Sequence, residues 1–217
     1  MRGRACPSAR PAPLIRHLGL TGYASAYDSM RRFTAERGQA TPDELWVLEH
    51  PPVYTSGIAG RSEHFPNTPA IPLVRADRGG QITYHGPGQA IVYTLIDLER
   101  RNLTVRGMVA LLESAVIDTL GERGVGAERK PGAPGVYVQG AKIAALGLRV
   151  RRGSCYHGVA LNVAMDLAPF SDIDPCGYPG LAVTQASAHG VDSNAQELGE
   201  ALARRIVHLL ETRLETR

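Results

Sequence analysis

Apolar side chains recur at helical spacing in three segments of the chain. The first segment follows Thr21, which the pattern predicts as an N-cap, and it ends before Gly38. The second spans residues 102–120, where the apolar positions form one stripe. The third begins after Ser193, and Gln196, three residues further on, gives the spacing of a capping box. The pattern therefore predicts three amphipathic helices.

Alternating or continuous apolar runs predict a set of strands, at residues 45–49, 89–98, 136–138, 141–150 and 156–163. Both faces of the 89–98 run are largely apolar, which indicates a sheet that is covered on both sides. The helices and strands mix without the regular alternation of a doubly wound fold. We therefore expect an α+β fold with a mixed or antiparallel central sheet flanked by helices.

Residues 50–72 are rich in proline, glycine and polar side chains, and two prolines stand near their start. Proline cannot donate to a strand ladder, so the preceding strand is predicted to end there. We expect a long surface loop, and loops of this length are often functional. A lid is one possibility. A basic docking face for an acidic partner, including Arg61 and Arg75, is another.

The length and charge of the chain limit the classes of protein to which it can belong. With 217 residues the chain can bury one large core without disulfides or metals. Residues 1–13 are rich in proline, alanine and arginine, so we expect a flexible tail before a single domain, residues 14–217. The net charge of +3 is too small for a dedicated nucleic-acid binder. Neither a secretion signal nor a membrane span is visible, and we expect a cytoplasmic monomer.

The three cysteines, Cys6, Cys155 and Cys176, are odd in number, widely spaced and without a CxxC pair. This pattern argues against a disulfide framework or a structural zinc site. A free cysteine is usually a small buried hydrophobe, so a catalytic role needs support from its neighbours. Cys155 has such a neighbour, because His157 lies two residues on and on the same face of a predicted strand.

A segment rich in glycine and hydrogen-bonding side chains precedes the strand predicted at 89–98. It reads Arg78, Gly79, Gly80, Gln81, Ile82, Thr83, Tyr84, His85, Gly86, Pro87, Gly88 and Gln89. Bare backbone of this kind lets a ligand approach closely. Neither a phosphate loop nor a dinucleotide-binding GxGxxG pattern is present in it. Composition alone leaves two interpretations open, a ligand site or a glycine-rich turn that enters a strand.

This segment resembles the arginine-glycine-glycine signature of the octanoyltransferase family, which initiates protein lipoylation. The related lipoate and biotin protein ligases share a looser version. Two further segments resemble the same family, residues 140–147 and the stretch from 157–162 to 174–177. The resemblance spans most of residues 15–210. It implies a catalytic domain with the fold of the biotin and lipoate protein ligases.

The resemblance also implies site residues. In the family a cysteine in a Pro-Cys-Gly context is acylated, and a lysine in a Lys-Ile-Ala context is its dyad partner; the matching positions are Cys176 and Lys142. The implied acyl pocket is lined by three segments, Arg78 to His85 as given above, Ala145, Leu146 and Gly147, and Gly158, Val159 and Ala160. Spacing alone would make Lys142 an ordinary solvated strand lysine.

The two residue types suit acyl transfer on chemical grounds. A thiol with a pKa near ~8.5 is mostly protonated at neutral pH, and a neighbouring ammonium favours the thiolate. A partly desolvated lysine also releases its proton more readily, which suits a general base and acid. Pro175 and Gly177 favour an exposed bend around Cys176. We rank Cys155 lower, because neighbouring strand positions seldom bring sulfur and imidazole into hydrogen-bond geometry.

The implied reaction is ping-pong transfer of an octanoyl group. The donor is octanoyl-acyl carrier protein, and the acceptor is a lysine of lipoyl domains in 2-oxoacid dehydrogenase complexes or of the glycine cleavage H protein. Since the donor is already a thioester, we expect no ATP, metal or redox cofactor. One alternative is an ATP-dependent lipoate or biotin protein ligase. Another is a non-catalytic acyl-binding module, which would never become covalently labelled.

Overall fold

The computed structural model describes residues 11–66, 70–174 and 180–215. Within these ranges, ten strands form two sheets that are accompanied by three α-helices. The strands are β1 (Leu14–Leu20), β2 (Glu44–Glu49), β3 (Val53–Ser56), β4 (Leu73–Arg75), β5 (Ile82–His85), β6 (Gln89–Asp97), β7 (Glu128–Lys130), β8 (Ala133–Val138), β9 (Ala141–Arg151) and β10 (Ser154–Asn162). The helices are α1 (Tyr23–Glu36), α2 (Val105–Gly121) and α3 (Ala195–Glu215).

The larger sheet has seven strands in the order β1-β2-β6-β10-β9-β8-β7. Only β1 and β2 are parallel among its described pairs, and the others are antiparallel. The smaller sheet has the order β4-β3-β5, with β3 parallel to β4 and antiparallel to β5. The predicted α+β fold with a mixed central sheet is confirmed.

Helices cover both faces of the larger sheet, as the apolar 89–98 run predicts. On β2, Leu45 and Val47 belong to the core under α2 and α3, whereas Trp46 and Leu48 belong to the core under α1. This alternation follows from the two-residue period of a strand. In the part of the chain that the structure describes, no helix is both long enough and apolar enough to cross a membrane.

Two predicted helix starts are wrong by one residue. Gly22, not Thr21, is the N-cap of α1, and the Thr21 hydroxyl instead donates to Leu18 O at 2.8 Å. At α3, Asn194 Oδ1 accepts from Glu197 N at 2.9 Å, and Glu197 Oε2 accepts from Asn194 N at 3.1 Å. Asn194 and Glu197 therefore form the capping box that the sequence predicted one residue earlier, at Ser193 and Gln196.

The prediction of one long surface loop at residues 50–72 is wrong near its start. This stretch contains β3, whose four residues are buried and which forms the centre of the smaller sheet. A short 3₁₀ turn, Ser62–His64, follows it. A strand of four residues between prolines and a glycine is too short to show a period, and only its pairing with β4 and β5 defines it.

The buried carboxylate of Asp43 links residues next to the ends of α1, β2 and β6. Asp43 Oδ1 accepts from Arg37 Nη2 at 2.8 Å and from Arg100 Nη2 at 2.6 Å, while Asp43 Oδ2 accepts from Arg101 Nε at 2.7 Å. Burial raises the pKa of Asp43, but hydrogen bonds from the Asp97 amide and from these arginines lower it further. Arg101 also donates to Pro11 O, within the predicted tail, at 2.7 Å.

Candidate active site

A cavity that is partly open to solvent lies between the α1 face of the larger sheet and the smaller sheet. Twelve of the fourteen residues that the resemblance implied for the pocket line it, namely Arg78, Gly80, Gln81, Ile82, Thr83, His85, Ala145, Leu146, Gly147, Gly158, Val159 and Ala160. Gly79 and Tyr84 are not among its lining residues.

Two glycines on neighbouring strands make room for the cavity. Gly147 on β9 pairs with Gly158 on β10. A Cβ on Gly147 would stand 3.1 Å from Arg78 Cδ, so only a small residue lets the 78–81 segment lie against this strand. A Cβ on Gly158 would stand 2.0 Å from Val92 O, which forbids any side chain there without movement of the backbone. The bare position at Gly147 therefore lets the 78–81 segment approach β9, and the bare position at Gly158 lets β6 approach β10.

Arg78 is a buried anchor of the glycine-rich segment. Its Nη2 donates to Thr55 Oγ1 at 2.9 Å, and its Nη1 donates to Gly79 O at 3.0 Å. The Gly79 amide donates to Leu148 O on β9 at 2.9 Å. Arg78 therefore braces the segment between the two sheets, and Gly79 contributes through its backbone.

Tyr84 points away from the cavity into a separate apolar cluster. Its ring contacts the rings of Tyr54 and Phe170, with centroids 5.6 and 5.5 Å apart. Tyr84 alternates with Thr83 and His85 along β5, and those two neighbours line the cavity. The two-residue period of the strand thus places the Tyr84 ring on the opposite face of β5 from Thr83 and His85.

A chain of hydrogen bonds leads from Thr55 through His85 to Gln89. His85 Nδ1 lies 2.7 Å from Gln89 Oε1, and His85 Nε2 lies 3.2 Å from Thr55 Oγ1. Since Gln89 Oε1 can only accept, Nδ1 carries the proton and Nε2 accepts from the Thr55 hydroxyl. Burial, followed by the charge of His50, lowers the pKa of His85 to about 3. His85 is therefore a neutral imidazole.

The chain of hydrogen bonds continues from Gln89 towards Lys142. Gln89 Nε2 donates to Asn162 Oδ1 at 2.9 Å, and Asn162 Nδ2 donates to Thr184 O at 2.9 Å. The Thr184 amide donates to Lys142 O at 2.9 Å, and the Lys142 amide donates to Ala182 O at 2.8 Å. Residues 182–184 are thus held alongside the start of β9.

Lys142 lies on β9 with only 5 % of its surface exposed. Its Nζ donates to Pro134 O at 3.0 Å and lies 5.4 Å from the centre of the Tyr137 ring. The side chain lines a smaller cavity, and that cavity shares Thr83 and Ala145 with the larger one. A buried lysine is uncommon without a paired or functional role. The structure therefore places a buried ammonium beside the larger cavity.

Four further residues line the larger cavity and were not predicted from the sequence to line it: Tyr23, Ile91, Tyr93 and His157. Ile91 and Tyr93 are alternate positions of β6, so the predicted strand contained a signal for them. Tyr23 comes from α1, and only the packing of that helix on the sheet shows its place. His50 lies behind them, where its Nε2 is 2.6 Å from Tyr93 Oη.

His157 is held by a carboxylate and not by Cys155. Its Nε2 lies 3.0 Å from Asp77 Oδ1, and the Tyr156 hydroxyl donates to the same carboxylate. Burial lowers the pKa of His157, against the opposing effect of Asp77. His157 also has a φ of 62°, a left-handed conformation that is rare for a residue with a side chain.

Cys155 does not have the surroundings of a nucleophile. The thiol is fully buried in the core under α2 and α3, and its Sγ donates to Thr94 O at 3.4 Å. Burial raises the pKa of Cys155 to about 11, so the thiolate is disfavoured. Cys6 and Cys176 lie outside the described residues, as do Pro175 and Gly177.

Comparison with known proteins agrees with the resemblance seen in the motifs. The family model of the lipoyl protein ligase A/B catalytic domain matches residues 23–207. The octanoyltransferase of Azoarcus sp. strain BH72 is 59% identical over 198 residues, which cover 91% of this chain and 87% of that protein. The octanoyltransferase of Aromatoleum aromaticum is 57% identical over 204 residues, covering 94% of this chain and 88% of that protein.

Solved structures share the fold at low sequence identity. A lipoate-protein ligase A bound with ATP has a TM-score of 0.78 at 17% identity, and the match covers 92% of this chain and 86% of that one. A lipoate protein ligase from Thermoplasma acidophilum, described with its E2 lipoyl domain, has a TM-score of 0.74 at 19% identity, over 92% and 84% of the two chains. Taken with the far higher identity to the curated enzymes, these matches show that the chain is a member of the octanoyltransferase family, within the lipoyl protein ligase A/B catalytic domains.

Proposed function

We propose that this octanoyltransferase works through a covalent acyl-enzyme, with Cys176 as the nucleophile and Lys142 as its proton-transfer partner. The donor is octanoyl-acyl carrier protein. The acceptor is a lysine of a lipoyl domain, in 2-oxoacid dehydrogenase complexes or in the glycine cleavage H protein. The observation that carries the proposal is Lys142, a buried ammonium beside a cavity built from the three motif segments.

The first half-reaction is a thioester exchange. The Cys176 thiolate attacks the carbonyl carbon of the donor thioester, the new C–S bond forms, and the bond to the carrier sulfur breaks. The proton that Cys176 gives up passes by way of Lys142 to the departing carrier thiolate. A neighbouring ammonium favours the thiolate by charge interaction, which makes Lys142 suited to activating the nucleophile.

The second half-reaction forms the product amide. The neutral amine of the acceptor lysine attacks the acyl-enzyme carbonyl, the C–N bond forms, and the bond to Cys176 breaks. Lys142, left neutral after it has protonated the carrier thiolate, takes one proton from the amine and passes it to the Cys176 sulfur as the C–S bond breaks. An amide is more stable than a thioester, so both steps proceed without activation by ATP.

The position of Cys176 in the sequence supports this pairing. On one side of it, His64 Nδ1 lies 2.8 Å from the carboxylate of Asp174. On the other side, Ala182 O accepts the backbone hydrogen bond from Lys142. Ala182, six residues after Cys176, is therefore held at Lys142, and Asp174, two residues before it, is held at His64.

The larger cavity is proposed to hold the acyl chain. Thr83 and Ala145 line both this cavity and the cavity at Lys142, so the two cavities are direct neighbours. Glycine, alanine, leucine and valine supply most of the lining along β9 and β10. An apolar lining of this kind takes up methylene groups favourably.

Replacement of Lys142 tests the proposal against a matched control. Lys142→Met keeps the apolar stem and removes the ammonium, and we expect octanoyl transfer to an unmodified lipoyl domain to fall at least about 100-fold. Lys130 is the control, since its Nζ lies 4.6 Å from the same Tyr137 ring while its ammonium donates to Gly140 O at an exposed site. Lys130→Met should transfer at the wild-type rate.

The same assay separates a transferase from a ligase. Octanoyl-acyl carrier protein without ATP should support transfer, and free octanoate should not, whether or not ATP is added. Near-normal transfer by a folded Lys142→Met protein would contradict the role of Lys142. Turnover of free octanoate only with ATP would instead assign the chain to the ligases.

A further inference from the structure

The peptide group between Pro134 and Gly135 is hydrogen-bonded on both sides. Its carbonyl oxygen, Pro134 O, accepts from Lys142 Nζ at 3.0 Å. Its amide, Gly135 N, donates to Glu113 Oε1 at 3.1 Å, and this second bond is buried. One peptide group therefore connects the terminal nitrogen of Lys142 to a carboxylate on α2.

Glu113 is a buried acidic side chain, and such side chains are uncommon in proteins unless they are paired. Its second oxygen, Oε2, accepts from Arg129 Nε at 3.1 Å. Arg129 is in turn held at α2, where its Nη2 donates to Ala110 O at 2.9 Å. Because each oxygen of Glu113 accepts a hydrogen bond from a different element, its carboxylate is held in one orientation.

Gly135 lets this peptide group lie directly against the Lys142 side chain. A Cβ at this position would stand 2.8 Å from Lys142 Cε and 2.9 Å from Ala144 O. Gly135 also has a φ of 137°, a conformation that a residue with a side chain rarely adopts. The close approach of the peptide group to Lys142 therefore depends on the missing side chain.

A carboxylate that accepts from the amide of a peptide group makes the carbonyl oxygen of that group a stronger acceptor, because hydrogen bonds in a chain polarise one another. We infer that Glu113 is a positioning residue, which fixes Lys142 Nζ through this peptide group for the proposed proton transfers. Glu113 lines neither the larger cavity nor the cavity at Lys142, so it acts through Lys142 and not on the substrate. This inference rests on the proposed function of Lys142.

Two substitutions of Glu113 test the inference, with kcat measured for octanoyl transfer from octanoyl-acyl carrier protein to an unmodified lipoyl domain. Glu113→Ala removes the acceptor of the Gly135 amide, and we expect kcat to fall about tenfold. Glu113→Gln keeps an oxygen that can accept from this amide but loses the negative charge, so its kcat should lie between those of Glu113→Ala and the wild type. It also provides a second measurement should Glu113→Ala fold poorly.

The same substitution in a Lys142→Met protein shows whether Glu113 acts through Lys142. The double variant should transfer at the rate of Lys142→Met alone, because the group that Glu113 positions is then missing. A purely structural role of Glu113 would instead lower kcat by the same factor in both backgrounds. Asp118→Ala is the control, since it removes a half-buried carboxylate five residues further along α2, and its kcat should equal that of the wild type.

The possible results separate the inference from the proposed function. Wild-type kcat in a folded Glu113→Ala or Glu113→Gln protein would overturn the inference alone. An equal loss on replacement of Glu113 with and without Lys142 would also overturn the inference alone. Near-normal transfer by a folded Lys142→Met protein would overturn the proposed role of Lys142, and the inference with it.

Discussion

The histidines around the cavity are kept neutral chiefly by burial. Burial lowers the pKa of His50 to about 4 and that of His85 to about 3. Their partners are consistent with neutral rings, since each nitrogen has a donor or an acceptor of the matching kind. A buried neutral ring can hold hydrogen-bonding groups in place without adding charge to an apolar cavity. These residues therefore shape the site and do not act as acids near neutral pH.

This neutrality predicts a pH dependence of folding. A histidine is protonated near pH 6.5 in the unfolded chain, whereas His50 resists protonation in the fold until pH about 4. Between these values the unfolded state binds more protons, so the free energy of unfolding falls as the pH is lowered, by up to ~1.4 kcal/mol per pH unit for each such histidine. Urea denaturation from pH 7 to 4.5 should show a shallower slope for His50→Gln than for wild type.

His208 provides the control for that measurement, because it is exposed on α3. His208→Gln should keep the wild-type slope. Asp77 does not affect the slope between pH 7 and 4.5. Burial raises the pKa of its carboxyl group, but hydrogen bonds from His157 and Tyr156 lower that pKa further. Its stabilising effect is therefore lost only below about pH 4, where a free carboxyl would protonate. Equal slopes for wild type and His50→Gln would contradict the account of His50.

The sequence identifies some of the residues that line the cavity and not others. Arg78, Gly147 and Gly158 stand in motifs, and they line the cavity in the structure. Tyr23 and Tyr93 carry no motif, because a tyrosine on an apolar helix face or strand is ordinary core until tertiary packing places it beside a cavity. The sequence also suggested His157 as a partner for Cys155, but its ring turns instead to Asp77.

The start of α3 shows why the ends of elements are harder to predict than their existence. The predicted helix is present, with Leu198, Leu202 and Ile206 buried along it. Two adjacent pairs, Ser193 with Gln196 and Asn194 with Glu197, have the same capping-box spacing in the sequence. The pattern of apolar positions cannot distinguish them, and the hydrogen bonds select the second pair.

The cap of α3 can be tested by two neighbouring substitutions. Asn194→Ala removes the side chain that accepts from the Glu197 amide, and we expect it to lower the free energy of unfolding by about 1 kcal/mol. Ser193→Ala should change it by less than about 0.5 kcal/mol. Chemical denaturation of both variants measures the difference. A larger loss for Ser193→Ala than for Asn194→Ala would show that the cap is misplaced.

On the scale of the whole molecule, the site depends on two sheets meeting over one cavity. The larger sheet follows from long apolar runs, and most of its strands were predicted within a few residues. The smaller sheet was not predicted, because β3, β4 and β5 have only three or four residues each. Its strands are defined by pairing between segments distant in the chain. The pattern of apolar positions therefore could not predict that the two sheets meet over a cavity, although the motifs named most of the residues that line it.

Intact-mass measurement with octanoyl-acyl carrier protein, in the absence of ATP, tests the central claim most directly. The account predicts that the wild type gains the mass of one octanoyl group, which hydroxylamine releases as expected for a thioester. Cys176→Ala should remain unlabelled and inactive towards a lipoyl domain. Cys155→Ala should still be labelled, because that thiol is buried in the core. Label that persists in Cys176→Ala and disappears in Cys155→Ala would contradict the account.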